Sequence, residues 1–340
     1  MYKIIKITER EMFKNIKDAW NMCCLNDSEC SPFQFFEWQY HYYHIFGDNK
    51  DLAIYIISDV ENSNLIAIFP FWERTVENEK LLEFIGCRGV DYLMPIIEDK
   101  HKPDVYKLFE QYLTENSLNI YIYDIPENHS FYTSFYSIST PNKITIPCGV
   151  VNLQILHKYR EFEYDKRYLI KHNEALQFSI YLNEKIPIPL LEKHINGYIN
   201  IVDNKYKYND TEKFQSFLTL YLNDINDKKI AVYADLHNDT ETIYSVIGIK
   251  CRETIYLLNF VFNLKYKKFA PGKILLTELI IIASKRGYKK IDFSRGTDIY
   301  KSKLGCDFIN NMSLLITSSN KIRQFVAKQN QSIGFFPSSQ

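Results

Sequence analysis

Two stretches near the C-terminal end of the chain carry the residue types from which chemistry is most readily built. The first is Ala270-Pro271-Gly272-Lys273, directly before a run in which Leu275, Leu276, Leu279, Ile280 and Ala283 recur at helical spacing. A helix that starts on Pro-Gly exposes first-turn N–H groups whose partial positive charge suits an anionic phosphate. Gly272 would let a pyrophosphate approach the backbone, and Lys273 adds a charge; the other reading is that Pro-Gly only starts a helix after a strand. The second stretch, Ile291-Asp292-Phe293-Ser294-Arg295-Gly296-Thr297-Asp298-Ile299-Tyr300-Lys301, crowds ionisable groups at the end of a strand. In an extended chain Ile291 and Phe293 share one face, and Asp292 and Ser294 share the other. Arg295-Gly296 then turns the chain and leaves Asp298, Tyr300 and Lys301 on a loop, where substrate groups are usually carried. Two readings stay open here: substrate contact, or an Asp292–Arg295 surface pair with Asp298 capping the turn.

Other chemistries are excluded by their motifs. A P-loop is absent, because Lys267 stands where its first glycine belongs and Ile274 follows Lys273; no G-x-G-x-x-G, H-E-x-x-H or G-x-S-x-G occurs. His41 and His44 lie three apart on one helix with no evident third ligand, so no metal is expected. The seven cysteines form no C-x-x-C pair and fit a reducing cytoplasm. The start of the chain lacks the apolar core of a signal peptide, and no apolar run approaches the ~20 residues of a membrane span, so a cytoplasmic protein without membrane insertion is expected. Lys and Arg number 41 against 41 Asp and Glu, a balance that argues against a nucleic-acid partner, whose phosphates demand positive excess. Tyr (26) and Phe (23) are abundant while Trp is scarce (3), a pattern that AT-rich coding bias accounts for without a stacking surface.

The elements that must position these residues come in two similar runs. A strand over Lys3–Ile7 leads to helices around Glu11–Met22 and Gln34–Phe46, the second opened by Ser31-Pro32 and stopped by Gly47. Leu52–Ser58 and Leu65–Trp72 read as a hairpin, Leu81–Ile85 and Tyr92–Ile97 as further strands, then a helix over Pro103–Glu115 and a strand over Asn119–Ile125. The second half has a charged helix over Lys158–Leu176, a strand over Phe178–Leu182, and helices over Pro189–Ile201 and Thr211–Asn223. Strands follow at Lys229–Asp235, Thr242–Ile249 and Thr254–Asn263, then a helix over Lys273–Lys285 and a strand over Lys290–Ser294. This is a duplication of pattern without residue identity, and it predicts an α+β fold with mixed sheets. The expected domains are 1–150 and 178–325, joined by a helix at 151–177 and followed by a flexible tail at 326–340.

On Pro271, Gly272, Gly287, Asp292, Phe293, Arg295, Gly296, Tyr300 and Lys301, the chain resembles the C-terminal signature of CelD-like (cellulose-biosynthesis-type) acetyltransferases of the GNAT superfamily. Ser31-Pro32-Phe33-Gln34, Glu37-Trp38, Ala67, Pro70, Gly86 and Asp91-Tyr92 extend the resemblance more weakly through the first half. It implies two tandem GNAT-like domains, each a mixed, mostly antiparallel sheet flanked by helices, an arrangement shared with Fem-type peptidyltransferases. It further implies acetyl-CoA as co-substrate, with no permanently bound cofactor. Leu258, Phe260 and Phe262 would line the pantetheine, and Pro271, Gly272 and Lys273 the pyrophosphate. Tyr300 is then the candidate acid, Asp292 or Asp298 the base, and Arg295 and Lys301 the substrate holders, with Asp91 and Tyr92 facing the substrate from the first half. The implied activity is acetyl transfer to a primary amine of an amino sugar or other glycan precursor. The alternatives are Fem-like aminoacyl transfer from tRNA and a non-catalytic ligand-binding or scaffold role. Departures from the signature are Ser294, Thr297-Asp298 in place of an acidic pair, Ile299 and Leu304.

Overall fold

The computed structural model describes residues 2–61, 64–87, 89–140, 144–154, 167, 170–171, 176–206 and 210–332. Most of the predicted connecting helix Lys158–Leu176 lies outside them. The chain divides into two units: Met1–Pro147 with Ile309–Gln340, and Cys148–Phe308.

The first unit runs β1 (Tyr2–Ile7), α1 (Arg10–Asn15), α2 (Lys17–Asn26), α3 (Phe36–Phe46), β2 (Asp51–Asp59), β3 (Leu65–Val76), β4 (Glu79–Phe84), β5 (Ile96–Ile97), α4 (Lys102–Glu115), β6 (Asn119–Pro126) and α5 (Ser130–Phe135). The chain then supplies β7 (Thr145–Asn152), β8 (Gln177–Tyr181), α6 (Ile188–Tyr206), α7 (Thr211–Asp227), β9 (Ala231–His237), β10 (Thr242–Cys251), β11 (Thr254–Phe262), α8 (Pro271–Lys285), β12 (Lys290–Arg295) and α9 (Ile299–Lys303), before β13 (Asp307–Ile316) and α10 (Asn320–Ser332).

Each unit is a mixed, mostly antiparallel sheet flanked by helices, and the two repeat one strand order. In the first it is β1-β2-β3-β4-β6-β13; in the second it is β8-β9-β10-β11-β12-β7. The likeness extends to detail. Among the described residues a single parallel pair occurs in each, β4 with β6 and β11 with β12, and each holds for three rungs. The returning strand then carries an extra residue in each unit, with Asp124 (φ 65°) in β6 and Ser294 (φ 58°) in β12 in the left-handed region. Such a bulge bends the strand and re-aims the side chains beyond it.

The sixth strands correct the sequence-based boundaries. Residues 309–325 do not belong with 178–308, because β13 pairs antiparallel with β6 through Leu315↔Tyr121 and Leu314↔Ile122. Cys148 onward belongs to the second unit, because β7 pairs with β12. The segment expected to be a tail from 326 is helical as far as Ser332.

α8 shows how the site is anchored. Leu275, Leu276, Leu279, Ile280 and Ala283 are fully buried against Val232, Ala234, Val246, Ile255, Leu257, Ile291 and Phe293. Each of these buried Leu and Ile side chains contributes roughly 1.5–3 kcal/mol by leaving water. Gly287 (φ 87°) ends the helix: its N–H donates to Ser284 O and that of Tyr288 to Ala283 O, which satisfies two of the last carbonyls.

Candidate active site

The second unit opens where its parallel pair ends. Thr254↔Lys290, Ile255↔Ile291 and Tyr256↔Asp292 are paired, and no β11–β12 rung follows among the described residues. Both strands bulge at that point. The register of β11 on β10 steps between Ile247↔Asn259 and Gly248↔Leu257, which leaves Leu258 as an extra residue. On β12 the step falls between Asp292 and Arg295. Ser294 ties the mouth of the opening, its Oγ donating to Leu257 O at 3.2 Å and its N–H to Asp292 Oδ1 at 2.7 Å. Beyond that tie, the edge of β11 that faces β12 is available for an extended ligand to pair with.

The bulge rearranges the expected pantetheine residues. Leu258, Phe260 and Phe262 do not share one face as simple alternation would have it. Leu258 is the inserted residue, Phe260 packs on the core under α8, 6.3 Å from the Tyr244 ring, and Phe262 is exposed at the strand end.

α8 begins at this same end. A 3₁₀ turn over Leu264–Phe269 leads to Ala270 in the left-handed region (φ 50°, ψ 48°), and no side chain caps the first turn. Lys267 and Lys268 are exposed on that turn, and Lys273 is half-buried on the helix. Basic side chains around uncapped first-turn N–H groups form an anion-attracting end. The part played by Gly272 is corrected, however. A Cβ there would lie 2.7 Å from Tyr244 Cε2 and 2.8 Å from Cζ. The glycine makes room for the Tyr244 ring, so any phosphate contact comes from the N–H groups and not from a bare Cα face.

The segment read as a loop after Gly296 contains a helix, α9, and its two central candidates part company. Tyr300 is largely buried and meets Phe293 edge-on at 6.3 Å. Burial, with Tyr244, Asp298 and Cys306 nearby, pushes its phenol well above the usual range, so it stays protonated and able to donate. Lys301, expected to hold substrate, is 1% exposed, and its Nζ donates to Ser294 O (2.9 Å) and Arg295 O (2.6 Å). Its stem crosses β7, with Cδ 3.1 Å from where a Gly149 Cβ would stand. Lys301 therefore acts as a positioning residue that fixes the strand-to-helix corner. Asp298 supports the same corner: its carbonyl accepts from Lys301 N, and its Oδ2 lies by Gly296 (φ 102°). Cys306, near Lys301 and Asp292, has its thiol pushed up to about 12 by burial, which leaves it inert.

Asp292 lies on the other face. Ile291 and Phe293 are in the core under α8, so the carboxyl between them points away from that helix and is 5% exposed. The same face holds Asn259, which sequence reasoning missed; its only sequence signal is an amide inside an otherwise apolar strand. Arg295 stands at the end of β12, opposite Cys148. Asp91 and Tyr92 belong to the first unit, where Tyr92 (φ 64°) is buried, stacks on Phe33 and accepts a hydrogen bond from Ser31 Oγ at its carbonyl. Among the described residues no cluster of His, Cys, Asp or Glu is placed to hold a metal ion, and no helix is long and apolar enough to cross a membrane.

Residues 205–302, which run from the end of α6 into α9, match the family model of the acetyltransferase (GNAT) domain. No curated protein matches the chain in sequence. Among solved structures, FemX aligns over 95% of this chain and 99% of its own at 9% identity, with a TM-score of 0.63. L-PGS from Bacillus licheniformis aligns over 93% and 96% at 11% identity (TM-score 0.55). A tandem GNAT protein from the clavulanic acid biosynthesis pathway aligns over 94% and 100% at 6% identity (TM-score 0.51). At these identities the likeness is one of fold: two tandem GNAT-like domains.

Proposed function

We propose that the chain is an N-acyltransferase whose second unit binds acyl-CoA, most simply acetyl-CoA, and transfers the acyl group to a primary amine of an amino sugar or related glycan precursor. One observation carries the reading. The opening between β11 and β12 lies at the end of the sheet where α8 starts uncapped among lysines, and the protonated Tyr300 phenol stands on that same side.

An extended pantetheine suits the free edge of β11, and its pyrophosphate suits the first turn of α8. In the reaction a C–N bond forms at the thioester carbonyl as the C–S bond breaks. The amine loses a proton and the departing thiolate gains one. Tyr300 is suited to supply the second proton. Asp292, across the sheet from α8, is suited to take or orient the first, with Asp298 the other carboxylate in reach of the corner. Arg295 remains the candidate for holding hydroxyl groups of the substrate.

The second reading, aminoacyl transfer from aminoacyl-tRNA as the resemblance to Fem-type enzymes implies, is favoured by the alignment of FemX over nearly the whole of both chains. The even balance of 41 basic and 41 acidic residues weighs against it, since tRNA binding relies on phosphate neutralisation. Calorimetric titration separates the two. Acetyl-CoA is expected to bind with a dissociation constant of roughly 1 μM–1 mM, the usual substrate range. No heat with acetyl-CoA, together with tRNA binding at low salt, would replace the first reading by the second.

A further inference from the structure

The face of the second unit's sheet opposite α8 holds two buried polar side chains whose hydrogen-bonding capacity the protein leaves unused. Asn259 is 8% exposed, and its amide has no hydrogen-bond partner among the described residues. His194, on α6, is 2% exposed; its Nδ1 lies 2.9 Å from Ser245 Oγ, and its Nε2 meets nothing. Leaving His194 Nε2 unpaired in the protein interior costs roughly 1–3 kcal/mol, so a partner is called for, while the Asn259 amide, unpaired beside it, still reaches solvent.

The two groups border one region. The His194 ring stands 5.9 Å from that of Tyr233, and Tyr233, Ile247 and Asn259 are successive partners across β9, β10 and β11. One turn beyond His194, Gly197 lets α6 close on Val261, two residues along β11 from Asn259; a Cβ there would lie 2.9 Å from Val261 Cγ1. Asn259 directly follows the inserted Leu258, where β11 leaves β12, and Asp292 faces the same side of the sheet. Burial drives the His194 ring down to about 3, so it is uncharged across the physiological range.

We propose that this face is the acceptor subsite, in which Asn259 and His194 hold an uncharged hydrogen-bonding group of the acceptor, a ring hydroxyl or an amide, while its amine is directed to Asp292. This rests on the transferase reading above and adds a selectivity to it. Two neutral groups on a largely covered face reward a hydroxyl or an amide and penalise a phosphate or carboxylate, whose charge would lie there without a counter-ion.

The test is a pair of saturation-transfer NMR titrations on CoA-saturated protein, with glucosamine and with glucosamine 6-phosphate. Glucosamine is expected to bind at least tenfold more tightly than its 6-phosphate. Asn259→Leu and His194→Phe are each expected to weaken glucosamine at least tenfold, and His194→Phe, which lies outside the pantetheine segment, to leave the CoA dissociation constant within twofold. Thermal midpoints of both variants, expected to stay near that of the parent, separate lost binding from lost folding. No glucosamine binding, equal or tighter binding of the phosphate, or unchanged binding by both variants would each overturn the proposal; the last would mean that water alone satisfies the two groups. If CoA fails to bind, the donor reading fails separately, and the same titrations on the free protein still decide the subsite.

Discussion

Replacing Tyr300 by phenylalanine is expected to lower kcat by about 10²- to 10⁴-fold, the usual worth of a positioned general acid. Burial keeps this phenol protonated on the α8 side of the opening. The departing thiolate takes up its proton only as the C–S bond breaks, so the loss should fall on kcat while the dissociation constant of acetyl-CoA stays nearly unchanged. The ring itself is held by Phe293 and by the wall around Tyr244, so phenylalanine retains the packing. Release of CoA thiol from acetyl-CoA with glucosamine as acceptor measures the effect. A kcat within threefold of the parent would remove Tyr300 from the chemistry.

Acidification from pH 7 to pH 5 is expected to destabilise each unit by about 2 kcal/mol through one buried histidine apiece. In the first unit His129 Nδ1 accepts a hydrogen bond from Phe131 N–H, an arrangement that requires the bare nitrogen. Burial holds this ring down to about 4, so the 3.8 Å approach of its Nε2 to Glu29 is not an ion pair at neutral pH. His194 is held down to about 3 in the second unit. The sign follows from where the protons go. Below about pH 6.5 the unfolded chain takes up a proton at each site that the folded chain refuses until near pH 4 or pH 3. Stability therefore falls progressively as pH drops through this window, and it is unaffected by these groups above it. Urea midpoints at the two pH values check the effect. A change below about 0.5 kcal/mol per unit would mean that one or both rings are protonated in the folded state.

The sequence reading fared best where burial and periodicity coincide. α8 and its Gly287 stop were visible because a continuous apolar stripe ends at a residue that must adopt positive φ. The duplicated order was legible for the same reason, each run of strands being closed by an amphipathic helix. What escaped was decided by partners distant in sequence. β7 holds Pro147 and Gly149, poor strand formers, and is a strand because β12 lies beside it. β13 opens on polar residues and is fixed by β6. Lys301 looked like an exposed cation, yet two carbonyls at the bulge claim it, and no local pattern announces a bulge. The bulge also moved Leu258 out of the alternation and set Asn259 facing away from α8. Gly272 was noticed for a phosphate and is needed for Tyr244, a residue 28 positions earlier that only the fold brings to it.

A crystal structure of the protein with CoA would place the donor directly. Pantetheine is expected to run along residues 258–262 in the opening between β11 and β12, with its pyrophosphate on the first-turn N–H groups of Pro271–Lys285 and its sulfur within hydrogen-bonding distance of Tyr300 Oη. CoA bound anywhere else on the chain, or a sulfur on the side of the sheet opposite Tyr300, would contradict this expectation.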